Sequence, residues 1–175
     1  MEKHLFLGCM TYKGFTNYFN NIIDFYDLKK LYILKGGSGV GKSTFMRKFA
    51  VAFPDESVDF LHCSADPDSL DGVILTNKKI GIIDGTAPHI VDVKYPGVID
   101  ETVNLGEFII EKNVNVTKET IDEINAQKKA HYEIIQNHLT LIRELHMELE
   151  GLYKDAIDFK KEDALLAKII QKLKA

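Results

Sequence analysis

A chain of 175 residues with 45% apolar side chains is long enough for one globular core and a modest appendage. Its net charge of -4 provides no general basic field, so charge does not point to nucleic acid. Cys9 and Cys63 lack CxxC spacing, which argues against a zinc or redox pair. No apolar run approaches the ~18 residues of a membrane span, and no signal peptide is recognisable. A cytoplasmic protein with reduced thiols is expected.

Residues 4–10 read as a leading strand, and residues 11–14 as a turn. Between 15 and 26, Phe15, Tyr18, Phe19, Ile22, Ile23 and Tyr26 recur every three or four positions, which predicts an amphipathic helix. Its aromatic stripe suits core packing better than stacking on a base. Residues 31–35 form an apolar strand. Then comes Gly36-Gly-Ser-Gly-Val-Gly-Lys-Ser-Thr44, which fits the phosphate-binding pattern G-x-x-x-x-G-K-[ST]. Gly36, Gly37, Gly39 and Gly41, with Ser38 and Val40 between them, let the backbone turn close to a polyphosphate. Lys42 is expected to reach the terminal phosphates. The Ser43 hydroxyl is expected to ligate Mg²⁺, and Thr44 closes the binding loop. Residues 43–52 read as a helix with Phe45, Phe49 and Ala52 on one face.

Residues 58–62 make another strand, and residues 63–71, dense in Asp and Ser, read as a loop closed by Gly72. Residues 73–75 and 80–83 suggest a hairpin or neighbouring strands. Residues 90–116 show no clear period. A helix is expected from Thr117 to about Glu150, with Thr117 or Thr120 as N-cap. Gly151 is read as an interruption, and Leu165, Leu166, Ile169, Ile170 and Leu173 mark a last amphipathic helix. Lys128, His131 and His138 fall on the apolar stripe of the long helix. The chain thus divides into a phosphate-loop domain, 1–116, and a helical extension, 117–175. The expected class is α/β, a P-loop three-layer sandwich with a mostly parallel sheet.

A phosphate loop needs a carboxylate for the magnesium shell at the end of a buried strand, and Ile80-Gly-Ile-Ile-Asp84 has that form. A turn aspartate is the alternative for Asp84. Gly85 stands where many ATP-hydrolysing proteins have a water-orienting Glu, leaving His89, Glu101 and Asp66 as candidates. Asn77-Lys-Lys-Ile80 lacks the Asp of a guanine-reading motif, so ATP is expected. Arg47 and Arg143 are the only arginines, which suggests that a partner or second half completes the charge around the phosphates. Asp66, Asp68 and Asp71, with His62 and His89, are candidates for a second substrate or a metal; turn capping is the plainer reading.

Four strings together resemble a family of uncharacterised cytosolic P-loop ATPases of low-GC Gram-positive bacteria, often built from two P-loop halves in tandem. They are Leu34-Lys-Gly-Gly-Ser-Gly-Val-Gly-Lys-Ser-Thr44, Leu61-His-Cys-Ser-Ala-Asp-Pro-Asp-Ser-Leu-Asp-Gly-Val73, Ile83-Asp-Gly-Thr-Ala-Pro-His89, and Tyr95-Pro-Gly97 through Asn104-Leu-Gly-Glu107. The likeness is to the first half and covers roughly residues 5–110. A single phosphate loop departs from the tandem pattern and implies a fragment, a split half or a shortened member. The leading function is an ATP-binding, Mg-dependent ATPase with weak activity alone. A small-metabolite phosphotransferase and a non-hydrolysing sensor are the alternatives. The tail is expected either to dock a second copy or second half, or to fold into a hairpin that hides its own apolar stripes.

Overall fold

The computed structural model describes residues 1–174. A six-stranded sheet is built from β1 (Glu2–Leu5), β4 (Lys30–Lys35), β5 (Val58–His62), β6 (Leu70–Leu75), β7 (Ile80–Asp84) and β8 (Asp100–Asn104), in the spatial order β1-β5-β6-β7-β4-β8. Neighbours are parallel at β1–β5, β7–β4 and β4–β8, whereas β6 is antiparallel to both β5 and β7. Five strands therefore run one way and β6 alone is reversed. The class is α/β with a mostly parallel sheet. The reversal brings the start of β6 to the edge where β4, β5 and β7 end, which is where α/β sheets place ligands.

Alternation along the strands feeds a core on each face. Leu31, Ile33, Leu61, Ile74 and Ile83 meet Phe19, Ile22 and Ile23 on one side. Leu34, Val58, Val73, Leu75 and Ile82 meet Met46 and Ala50 of α2 (Lys42–Val51) on the other. This arrangement is compatible with a three-layer sandwich. Each fully buried side chain of this kind contributes about 1.5–3 kcal/mol. The α2 face differs from expectation: the sheet takes the Met46/Ala50 stripe, Phe49 packs at its border, and Phe45 stays exposed. Apolar residues at both 45/49 and 46/50 give two overlapping i,i+4 rows, and only contact with the sheet decides between them.

The helix expected over 15–26 is only partly present. Residues 8–17 instead form a small hairpin, β2 (Gly8–Thr11) and β3 (Gly14–Asn17), turning at Gly14 with φ 99°. Asn17 then accepts from the Phe19 amide (3.2 Å), a 3₁₀ turn covers Phe19–Asn21, and α1 spans Ile22–Tyr26. Phe19 and Ile22 are fully buried, so core packing is their role.

Beyond the sheet, α3 (Lys118–Lys154) begins at Thr117, whose hydroxyl accepts from the Thr120 amide. It runs straight through Gly151, where a glycine costs about 1 kcal/mol without ending the helix. Then comes α4 (Phe159–Lys174). Neither helix buries a residue. The two do not pack along each other, so the expected hairpin that hides its own stripes is not formed.

Candidate functional site

Strand β4 delivers the chain into the glycine loop, and α2 leaves it. Gly36, Gly39 and Gly41 sit at φ 141°, 86° and 87°, a region that side-chain-bearing residues avoid. A Cβ on Gly36 would lie 2.8 Å from Val40 Cγ2, so the loop closes on itself there. A Cβ on Gly37, Gly39 or Gly41 would meet nothing, leaving a concave backbone surface open. The Phe45 amide donates to the Gly41 carbonyl (2.8 Å), so α2 begins within the loop. Its first amides stand free of helical partners there, a feature suited to an anion.

Lys42 folds over this loop. Its ammonium donates to the carbonyls of Gly36 (2.7 Å) and Gly37 (2.9 Å) and lies 3.5 Å from Asp84 Oδ2. Asp84 ends β7 directly beside β4, in register with Leu34. Its other oxygen accepts from the Thr86 amide (2.8 Å) and hydroxyl (2.6 Å), which fixes the carboxylate. Ser43 is tied across to β6: its hydroxyl meets Ser69 Oγ at 2.6 Å and accepts from the Leu70 amide at 3.2 Å. Lys42, Ser43 and Asp84 thus line one cleft, with the Ser43 hydroxyl turned toward β6.

A cleft of about 600 Å³ opens above them. Its walls include Ser38, Thr44 and Thr86, the acidic residues Asp66 and Asp71, the imidazole of His89, and Lys128 and Tyr132 from α3. Asp71 belongs to β6 rather than to a loop, a correction that follows from the strand reversal. Burial pushes the Asp71 carboxyl above the ordinary carboxylate range. The His89 imidazole pulls the other way, and Asp84 adds to the rise. His89 is 3% exposed, stacks on Phe19 with centroids 4.6 Å apart, and has no hydrogen-bond partner at either ring nitrogen. Burial also raises the Cys63 thiol in the cleft wall. Cys9 and Cys63 are both free.

Three candidates lie elsewhere. Glu101 pairs with Lys30 (2.5 Å), the first residue of β4, at the end of that strand away from the loop. His62 turns toward the β1 edge, bonding the Pro67 carbonyl (2.6 Å) and His4 (2.8 Å). Asp68 is not part of the cleft wall; its carbonyl accepts from Arg47. Among the described residues, no group of three or more His, Cys, Asp and Glu is arranged to hold a metal ion. No described helix is long and apolar enough to cross a membrane.

Gly85 has a steric reason to be glycine. A Cβ there would lie 2.3 Å from Ile33 Cγ2, so the carboxylate that often follows the strand-end Asp has no room. Sequence reasoning missed Ser69, Thr86 and Tyr132. It noted Lys128 only as a polar break in an apolar stripe, which was the available signal.

No family model, curated protein or solved structure matches the chain.

Proposed function

We propose that the cleft binds Mg-ATP and that the chain is a P-loop NTPase with weak hydrolysis of its own. The observation that carries this is the convergence of Lys42, Ser43 and Asp84 on an open glycine loop that starts a helix. The loop amides would bind the phosphates, and Lys42 would exchange its loop carbonyls for the terminal ones. The donor set fits a hard cation, an aliphatic hydroxyl and a fixed carboxylate, so Ser43 and Asp84 would hold Mg²⁺. That ion would neutralise charge between the terminal phosphates. Slow turnover follows from the lack of space at Gly85, which leaves Asp66 as the exposed cleft group able to orient water, because both His89 ring nitrogens are buried. Titration calorimetry with Mg-ATP and Mg-GTP tests the reading: saturable 1:1 ATP binding supports it, and no heat with either nucleotide removes it.

The phosphotransferase alternative draws on one feature, the unpartnered His89 nitrogens buried beside Asp71, which a substrate hydroxyl would reach only if the ring moved toward the cleft. Substrate-dependent ADP release would favour it. Exposed apolar residues such as Ile134, Ile142, Leu145 and Leu166 on α3 and α4 favour assembly through the tail with a second copy or P-loop half. Light scattering across concentrations reads that directly.

A further inference from the structure

The helix α3 meets the rest of the molecule through one narrow stripe. Its least exposed positions are Tyr132, Gln136, Leu139 and Thr140, spaced by three and four along one face. Gln136 donates to the Tyr12 carbonyl (3.3 Å) at the turn of the β2–β3 hairpin. One helical row further on, the Arg143 guanidinium sits 4.2 Å over the Tyr12 ring. Continued four residues toward the N-terminus, the same row reaches Lys128, which together with Tyr132 lines the phosphate-loop cleft. The hairpin contact therefore fixes where Lys128 stands.

Charge in the cleft makes that placement consequential. Asp66, Asp71 and Asp84 line it, against only two cations, Lys42 and Lys128. Lys42 is engaged by Asp84 and by its own loop. Among the described residues Lys128 makes no ion pair, even though carboxylates share its cleft. Neither arginine reaches the cleft wall: Arg47 is bonded to the Asp68 carbonyl, and Arg143 is stacked on Tyr12. A bound triphosphate carries its greatest charge on the terminal group, and transfer of that group is commonly speeded by a further cation beyond the loop lysine and the magnesium.

We propose that Lys128 contacts the terminal phosphate of the bound nucleoside triphosphate, delivered from the helical extension in the place an arginine takes in other phosphoryl-transfer sites. This rests on the nucleotide reading above and deepens it. The contact between α3 and the β2–β3 hairpin is then a positioning device. Tyr12 and Arg143 touch no phosphate but set the reach of Lys128.

The test measures affinities of the whole chain for Mg-ADP and for the non-hydrolysable triphosphate AMP-PNP, so it needs no turnover. Wild type should prefer AMP-PNP. Lys128→Ala should lower that preference by about tenfold to a hundredfold, the worth of one charge-assisted contact, with ADP affinity unchanged. Lys128→Arg should keep the preference. Tyr12→Ala, which leaves the cleft walls intact, should lower it with an unaltered melting temperature. A Lys128→Ala chain with the wild-type preference, or one that loses ADP and AMP-PNP alike, overturns the assignment, as does a wild type without any preference. A wild type that binds neither nucleotide instead removes the nucleotide reading itself, so the two failures are distinct.

Discussion

Asp71 and His89 face each other across 3.8 Å in the buried floor of the cleft, too far for a hydrogen bond, and the imidazole has no other partner. Two titratable groups are thus kept out of water without satisfying each other, an arrangement that costs stability. Burial holds the Asp71 carboxyl above its ordinary value. A folded-state value raised above the unfolded one means that the native state binds the proton more tightly. Stability then falls as pH rises from the ordinary carboxylate value, about 3.9, through the raised one. We expect Asp71→Asn to flatten that decline and to melt above wild type at pH 7. Equal melting temperatures across the range would contradict this. Nucleotide-dependent activity should drop in the same variant, a trade of stability for function.

Lys42→Ala should weaken Mg-ATP binding by tenfold or more, on the order of the 1.5–3 kcal/mol of a charged hydrogen bond, while leaving the fold intact. Its partners are two loop carbonyls and a cleft carboxylate rather than core side chains. Calorimetry and a melting curve on one sample separate the two effects. Unchanged affinity in a folded variant would remove Lys42 from the site.

Asp84→Asn should abolish most of the gain in ATP affinity that Mg²⁺ provides. An amide oxygen can still accept from the Thr86 amide and hydroxyl, so the strand end should keep its shape. Affinity measured in chelator should stay within about threefold of wild type, less than 1 kcal/mol. An undiminished Mg²⁺ enhancement would make Asp84 a turn aspartate, the alternative reading.

The part of the site that sequence reveals is the part built locally. Strand, glycine loop and helix are contiguous, so Lys42 and Ser43 could be placed from spacing alone, and Asp84 followed from an apolar run ending in a carboxylate. Asp71 could not be placed that way. Its position depends on β6 reversing direction after residues 63–69, and the composition of those residues says loop without saying which way the chain leaves. Lys128 and Tyr132 depend on a packing contact between segments more than a hundred residues apart, Tyr12 with Gln136. Residues 15–17 failed differently. A helical period in the aromatic residues was outweighed by the positive φ at Gly14, where the hairpin turns.

Gly85 yields the sharpest steric expectation. The residue after Asp84 is held between β4 and the following loop. Lys35 Nζ donates to the Gly85 carbonyl (2.7 Å) and to the Val91 carbonyl (2.9 Å), pinning that loop to the end of β4. A Cβ would sit 2.3 Å from Ile33, which is fully buried, and 3.2 Å from the Val91 carbonyl. Ile33 cannot retreat, because it packs in the core against Phe19, Ile22 and Ile83. Either the core or the lysine-pinned loop must move, at an overpacking cost of about 1–3 kcal/mol. Gly85→Ala should therefore lower the melting temperature by several degrees and loosen nucleotide binding through Asp84. Gly85→Glu, which restores the side chain common at this place, should destabilise further without raising ATP hydrolysis, because the carboxylate cannot enter the cleft from a displaced backbone. Phosphate release and melting curves on both variants check this. A Gly85→Glu chain that melts with wild type and hydrolyses faster would show that the site has room for the carboxylate and would remove the steric account of weak hydrolysis.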